Sequence, residues 1–345
     1  MRLVRRPTLD DVAERAGVSR TLVSVTLRGM PGAGDYTKGL IHQAVNDLGY
    51  VPHTGARDLA SQSSRAIGVF MSDLHNPFFA DIVDGFHWPM RESNFHILMG
   101  MGDQPDLERS VLEMFRSYRM AGAMLIGPGI RERELEEFGK AIPTVVIARK
   151  LRTTAVDVIV GDDRKGARLA VEHLYELGHR DIAHLDGGSL PAAAAARRTG
   201  YLGAMRRLGL EKYVRVAGGG FTLDHGADGV DELLKTRPPS AIFAANDLVA
   251  MGAIERLATL GLTTPNDISI VGYDNSNLAA QQRFGLTSID QPRLQIGELA
   301  ATLLSERFAG RTTASRHILM PKLVERSSTA RRRSGRRRGT NGARF

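Results

Sequence analysis

From Ala66 to Gly272 the chain alternates short apolar runs with longer amphipathic stretches, and this alternation restricts the fold more than any other feature. Apolar runs bounded by turn residues stand at Ala66–Met71, Phe95–Met99, Gly122–Ile126, Thr144–Ala148, Val156–Val160, Ile182–Leu185, Ala241–Ala245 and Ile268–Gly272. Runs this short and this apolar suit strands buried on both faces. Lys165–Leu177, Arg197–Leu208, His225–Leu234 and Leu248–Leu260 carry apolar residues at helical spacing instead. Strand–helix alternation of this kind means right-handed βαβ units and parallel sheets covered by helices on both sides. So many units predict two doubly wound parallel sheets rather than one.

The first fifty residues have a different texture. In TLDDVAERAGVSRTLVSVTLR (8–28), Thr8 and Asp11 stand in the capping relation that starts a helix at Leu9. Leu9, Val12, Ala13 and Ala16 give that helix one apolar face; Gly17 can end it and Ser19 can cap the next. Val18, Val23 and Leu27 supply contacts between the two helices, and Arg20, Thr21, Ser24, Val25 and Arg28 share the opposite face. Such a pair is either an ordinary αα-hairpin or a helix-turn-helix, whose second helix presents its N-terminal residues to the major groove. A Gly/Pro-rich loop (Gly29–Gly34) and a third helix near Thr37–Leu48, closed by Gly49, complete an all-helical segment. Residues 51–63 read as a linker with a short helical stretch around Ala56–Ala60, which Gly55 weakens by roughly 1 kcal/mol relative to Ala.

Composition narrows the class. With 42% hydrophobic and 24% charged residues, a soluble globular protein is expected. No run approaches the roughly 18 apolar residues that a membrane-spanning helix needs, and MRLVRRPTLDD lacks the apolar stretch of a secretory signal. Zero cysteines exclude disulfides, iron–sulfur clusters and thiolate zinc sites. A cytoplasmic protein fits. The net charge of +8 is uneven: residues 331–345 hold seven arginines and no acid, whereas residues 1–63 hold eight basic against six acidic residues. The remainder is therefore at −1, so only the ends have the charge of a nucleic-acid surface. The tail RRRSGRRRGTNGARF has almost no apolar content and is expected to be disordered.

A helix pair, a linker helix and a large α/β body together resemble the LacI/GalR family of bacterial transcription regulators. The resemblance runs from about Pro7 to Arg326 and rests on eight motifs in order. They are TLDDVAERAGVS (8–19), LGYVPH (48–53), ARDLA (56–60), NPFF (76–79), HLYELGHRDIAHL (173–185), RRTGY (197–201), ANDLVAMGA (245–253) and ISIVGYDNS (268–276). It implies a helix-turn-helix domain at 1–50, a hinge at 51–63 and a periplasmic-binding-protein-like core. The core's first subdomain would be 64–161 plus 291–326 and its second 162–290, with crossovers near 161, 290 and 320.

The same resemblance implies site residues. Thr8, Ser19, Arg20, Thr21, Ser24 and Val25 would contact DNA; Arg20, Thr21 and Val25 fall on the family's base-reading positions. Arg20 can pair with guanine O6/N7, worth about 1–3 kcal/mol of discrimination, or touch phosphate only. Val25 stands where many members carry Arg, and Leu22 replaces a frequent polar residue, so the operator should depart from the commonest type. In the hinge, Ala56 and Leu59 fall on minor-groove positions, Leu59 as an apolar wedge. For an effector, Asp73, Phe78, Phe79, Arg197, Phe221, Asn246 and Asp274 are the candidates. The aromatic rings would stack on a sugar or base ring, or simply pack the core. Arg197 matches the family arginine that clamps hydroxyls or a carboxylate; Asn246 and Asp274 match its strand-end polar pair. Asp162 is a weaker candidate that could cap a helix.

No G-x-S-x-G, P-loop or H-E-x-x-H occurs, no cofactor is implied, and Gly218–Gly220 opens no dinucleotide fingerprint. His179, Asp181, His184 and Asp186 are close in sequence but straddle a helix–strand junction, and a structural role is expected rather than a metal site. The resulting expectation is a homodimeric, non-enzymatic, effector-controlled repressor that binds a pseudo-palindromic DNA operator and no membrane. The rival reading is a sugar-binding protein without a regulatory role.

Overall fold

The computed structural model describes residues 7–51, 65–91, 93, 95–188 and 192–332. It separates into two compact units, Met1–Ser64 and Arg65–Phe345. The hinge candidates Ala56 and Leu59 lie outside the described residues, as does the tail beyond Arg332. The first two residues of the expected disordered tail are described: the Arg332 N–H donates to the Leu177 carbonyl at 2.8 Å.

In the first unit, α1 (Leu9–Ala16), α2 (Arg20–Leu27) and α3 (Asp35–Leu48) surround one small core. Thr8 and Asp11 cap α1 reciprocally, and Gly17 ends it at φ 67°. Ser19 Oγ accepts the Leu22 N–H to start α2. Val12, Ala13, Val23, Ile41 and Ala44 are buried, with Leu22 and Leu27 packed around them. The apolar Leu22 thus has a use inside the domain.

The second unit holds two six-stranded sheets. The first lobe contains β1 (Ala66–Met71), β2 (His96–Met101), β3 (Gly122–Ile126), β4 (Thr144–Ile147) and β5 (Asp157–Gly161). The second contains β6 (Ile182–Leu185), β7 (Arg215–Ala217), β8 (Ala241–Ala244), β9 (Ser269–Asp274) and β10 (Thr287–Asp290). Then β11 (Arg316–Leu319) joins the first sheet beside β5, and β12 (Lys322–Val324) joins the second beside β10. The orders are β2-β1-β3-β4-β5-β11 and β7-β6-β8-β9-β10-β12, so the lobes are topological copies. All pairings are parallel except the last, β12 against β10. This corrects the expectation that 291–326 stays with the first subdomain: residues 322–324 close the open edge of the second sheet.

Helices cover both faces of each sheet. In the first lobe, α4 (Pro77–Arg91) and α11 (Arg293–Phe308) pack on one face, α5 (Pro105–Ser117) and α6 (Glu132–Ala141) on the other. In the second, α7 (Asp163–Glu176) and α8 (Ala192–Arg207) oppose α9 (Leu223–Leu234) and α10 (Asp247–Thr259). The α4–α11 crossing is close because Gly85 faces the Leu294 carbonyl and Gly297 faces the Ile82 carbonyl; a Cβ at either would collide with backbone.

This strand order places a topological switch beside β1 and another beside β6, where adjacent connections leave the sheet in opposite directions. Open α/β sheets bind ligands outside the carboxyl ends of strands at such points.

Candidate functional site

On the first unit, the polar face of α2 divides into occupied and available groups. Thr8 Oγ1 donates to Asp11 Oδ2 (2.8 Å) and Ser19 Oγ caps α2, so both hydroxyls fix helix starts. Ser24 is half-buried, and its carbonyl accepts from Arg28 Nε at 3.0 Å, which turns Arg28 back along the helix. Arg20 is different: its side chain is 67% exposed, with Asp10 Oδ1 a loose 3.6 Å from Nε. Thr21 beside it is also exposed, and Val25 is half-buried against the loop at Gly32. The available groups are therefore those at the helix N-terminus, where backbone N–H groups and the helix dipole also favour anions.

In the second unit a cavity of about 150 Å³ lies among the carboxyl ends of the strands. The first lobe supplies a mostly apolar wall, with Phe78, Phe79, Ile147, Ile159 and Ile296; the second supplies Asp163, Arg197, Phe221 and Asp274. Phe78 is a core residue by burial and Phe79 only half-buried, with ring centroids 5.8 Å apart. Asp73 reaches the cavity wall but accepts the His75 N–H at 2.8 Å. Asn76 Oδ1 accepts the Phe78 N–H at 3.0 Å and starts α4.

Arg197 is the centre of the polar wall. It is 4% exposed, and its Nε donates to Asp163 Oδ1 at 3.0 Å. A second nitrogen donates to the Ala245 carbonyl, and a third lies 3.6 Å from Asp274 Oδ1. The guanidinium carbon sits 3.7 Å from the Tyr273 ring centroid and 5.9 Å from that of Phe221. Burial disfavours its charge, but the carboxylates of Asp163 and Asp274 outweigh that and hold it protonated.

Asp274 ends β9 at φ 103°, a conformation that a non-glycine residue adopts only when its surroundings impose it. Its carboxylate accepts from Gln291 Nε2 at 2.8 Å. Burial pushes its pKa up, Arg197 opposes this, and the carboxylate of Asp247 reinforces it. Asp247 is already committed, to the Ser276 N–H (2.7 Å) and Ser288 Oγ (2.6 Å). Asp274 is not so saturated, and an incoming hydroxyl would find acceptor capacity there. Ala148, also on the wall, has φ 62°.

Asn246 has a different place from the one expected. It is fully buried and does not line the cavity. Its Oδ1 caps α10 through the Val249 N–H (2.9 Å), and its Nδ2 donates to the Phe221 carbonyl (3.1 Å). Its role is to position Phe221. Asp162, the weaker candidate, caps α7 through the Lys165 N–H, while the next residue, Asp163, faces the cavity. Sequence reasoning missed Ser72, Asn76, Asp163 and Gln291; all follow a strand end or sit at a crossover, where no periodicity marks them.

Opposite lobes are also tied. Asn277 Nδ2 donates to Asp81 Oδ1 (3.2 Å), and Arg293 bonds Asp81, lies 3.4 Å from Asp290 and donates to Asn277 Oδ1 (3.1 Å). His184 stacks on Phe243 at 4.7 Å and lies 3.6 Å from Asp186, whereas His179 meets the Ala330 carbonyl; among the described residues no three such side chains converge. Among the described residues no helix is long and apolar enough to cross a membrane.

Comparison with known proteins adds to this geometry. Residues 8–53 match "Bacterial regulatory proteins, lacI family", and residues 171–329 match "Periplasmic binding protein-like domain". The chain is 31% identical over 327 residues to the HTH-type transcriptional repressor PurR of Vibrio atlanticus (strain LGP32), covering 93% of this chain and 98% of the relative. Among solved structures it is similar to a transcriptional regulator CelR–cellobiose complex, with 30% identity, TM-score 0.69, and coverage of 94% and 100%. It is also similar to the lac repressor dimer bound to operator and the anti-inducer ONPF, with 25% identity, TM-score 0.77, and coverage of 94% and 100%.

Proposed function

The chain belongs to the LacI family of bacterial regulatory proteins, and we propose that it is a homodimeric, sequence-specific transcription repressor whose DNA binding is set by a sugar or sugar derivative. The observation that carries this reading is one chain holding both an exposed Arg20–Thr21 face on a capped second helix and a cavity walled by Arg197, Asp274 and Phe221. Two copies would place two such faces on the half-sites of a pseudo-palindromic operator. The solved relatives bound to operator and to cellobiose support both halves of the assignment.

In the cavity, Asp274 accepts hydroxyl protons, Arg197 donates, and Phe79 and Phe221 face the ring. The ligand acts by binding one arrangement of the lobes better than another, since equal affinity for both would shift nothing. The tie among Asp81, Asn277 and Arg293 is the contact such a shift would alter. No catalytic step is assigned, because the buried carboxylates are engaged in binding geometry and the relatives are repressors. A cytoplasmic location follows from that role.

The test compares the full chain with residues 65–345. The full chain should retard operator DNA specifically and be stabilised by a sugar at about 100 times its dissociation constant by about 2.7 kcal/mol. The fragment should keep the second property and lose the first. Specific retardation by the fragment would sink the assignment. Turnover of the bound sugar would favour an enzyme instead.

A further inference from the structure

A recess of about 240 Å³ opens beside the main cavity and shares Ala148, Asp163 and Ala193 with it. Lys150 of the first lobe and Arg164 of the second line this recess together with Thr199. Both cations are exposed, and among the described residues neither is engaged in an ion pair. Asp163, the carboxylate in the recess wall, is already taken by Arg197 at 3.0 Å. Arg149 turns inward to the Pro128 and Ile130 carbonyls, so of these two adjacent cations Lys150 is the one that lines the recess. On the far side of Arg164, Lys165 and Arg168 line an open groove and add positive potential. The first two turns of α8 border the recess.

A neutral sugar offers these cations hydroxyl oxygens but no counter-charge. We propose that the recess seats a phosphate group, carried by the effector itself or bound free beside it. This rests on the reading of the main cavity as the effector site. A phosphate held between Lys150 and Arg164 bridges the two lobes, so its charge adds directly to the closing force on the cleft.

Inorganic phosphate is the probe, applied to the full chain with thermal unfolding as the readout and potassium chloride at matched ionic strength as the control. Phosphate should raise the midpoint of the wild type and of Lys322→Ala, an exposed cation elsewhere, to the same extent. Lys150→Ala and Arg164→Ala should each raise the half-saturating concentration about tenfold, as loss of a charge-assisted hydrogen bond requires. The double variant should not respond. Three further arms locate the source: hexose, hexose with phosphate, and hexose phosphate. A hexose phosphate that outperforms the mixture, with the advantage lost in Lys150→Ala, places the group on the effector; equal performance means a free anion. An equal phosphate response in all five proteins, or none in the wild type, overturns the proposal. A hexose that binds wild type and double variant alike leaves the sugar-effector reading standing, whereas failure of that reading shows as indifference of every sugar to Arg197→Ala.

Discussion

The two lobes share a strand order, yet each buries an aspartate in an opposite condition. Asp157, at the start of β5, is fully buried and met by Arg307 through Nε and a second nitrogen, both at 3.0 Å. Arg311 adds contacts of 2.9 and 2.8 Å, and the Ser315 N–H a further one of 2.6 Å. Asp274, at the end of β9, has Gln291 at 2.8 Å and a guanidinium at 3.6 Å. Their titrations diverge accordingly. Burial would raise Asp157, but the two arginines and the Ser315 N–H bring it below the usual carboxylate range. For Asp274 burial wins. A saturated carboxylate at the amino end of a strand fastens helix α11 to its sheet. An unsaturated one at a carboxyl end leaves acceptor capacity on the cavity wall.

The contrast can be broken by mutation. Asp157→Asn should give the largest effect, a loss of about 3–5 kcal/mol in urea unfolding, because it takes the carboxylate partner from the largely buried Arg307 and leaves Arg311 only the half-exposed Glu306 at 2.8 Å. Asp274→Asn should instead cost about 2 kcal/mol in sugar affinity by calorimetry, the value of a hydrogen bond to a charged acceptor, while leaving stability at neutral pH intact or higher. An unfolding free energy lowered as much as in Asp157→Asn would erase the distinction.

The pH dependences should have opposite signs. Asp157 has a depressed folded pKa, so its contribution is present above the unfolded value of 3.8 and is lost as pH falls through the folded one. Asp274 has a raised folded pKa, so its protonated form favours the fold at low pH and that benefit is lost as pH rises. Stability of Asp274→Asn relative to wild type should therefore rise between pH 5 and pH 8 by on the order of 1 kcal/mol. Asp163, Arg197 and Asp247 act on the same group, and replacing any of them should move that window. The smallest effect belongs to the tie between the lobes. Asp81→Ala should lower the unfolding free energy by about 1 kcal/mol, since the largely buried Arg293 keeps Asp290 at 3.4 Å and Asn277 at 3.1 Å, but should alter the amount of sugar needed to change DNA binding.

Legibility in the sequence followed the physics of each element. Strands buried throughout, such as Val145–Ile147 within β4, are continuous apolar runs and could be read directly. β11 and β12 are short, partly exposed and bounded by charged residues, so nothing in their composition set them apart; the crossing near 320 is implied by the resemblance, whereas the subdomain boundary at 326 falls beyond the strand that already belongs to the second sheet. Arg197 and Asp274 were readable from motif context, and the structure places both on the cavity. Asn246 was misplaced because a strand-end asparagine looks the same whether it faces a ligand or caps the following helix. Asp163 and Gln291 are brought to the cavity by chain crossings, which only the assembled topology reveals.

The order of the strands also bears on how the protein is made. The first lobe's core includes Ile296, Ala300, Ala301, Leu303 and Leu304, and its outer strand is β11, all encoded after the whole of β6 to β10. A ribosome therefore finishes nearly all of the second lobe before it supplies the helix that covers Ile82, Phe86 and Met90. The lobe begun first is completed last. During that interval it presents an apolar face to chaperones, and a stop codon placed between 291 and 308 would leave that face permanently open, sending the product to aggregation or proteolysis.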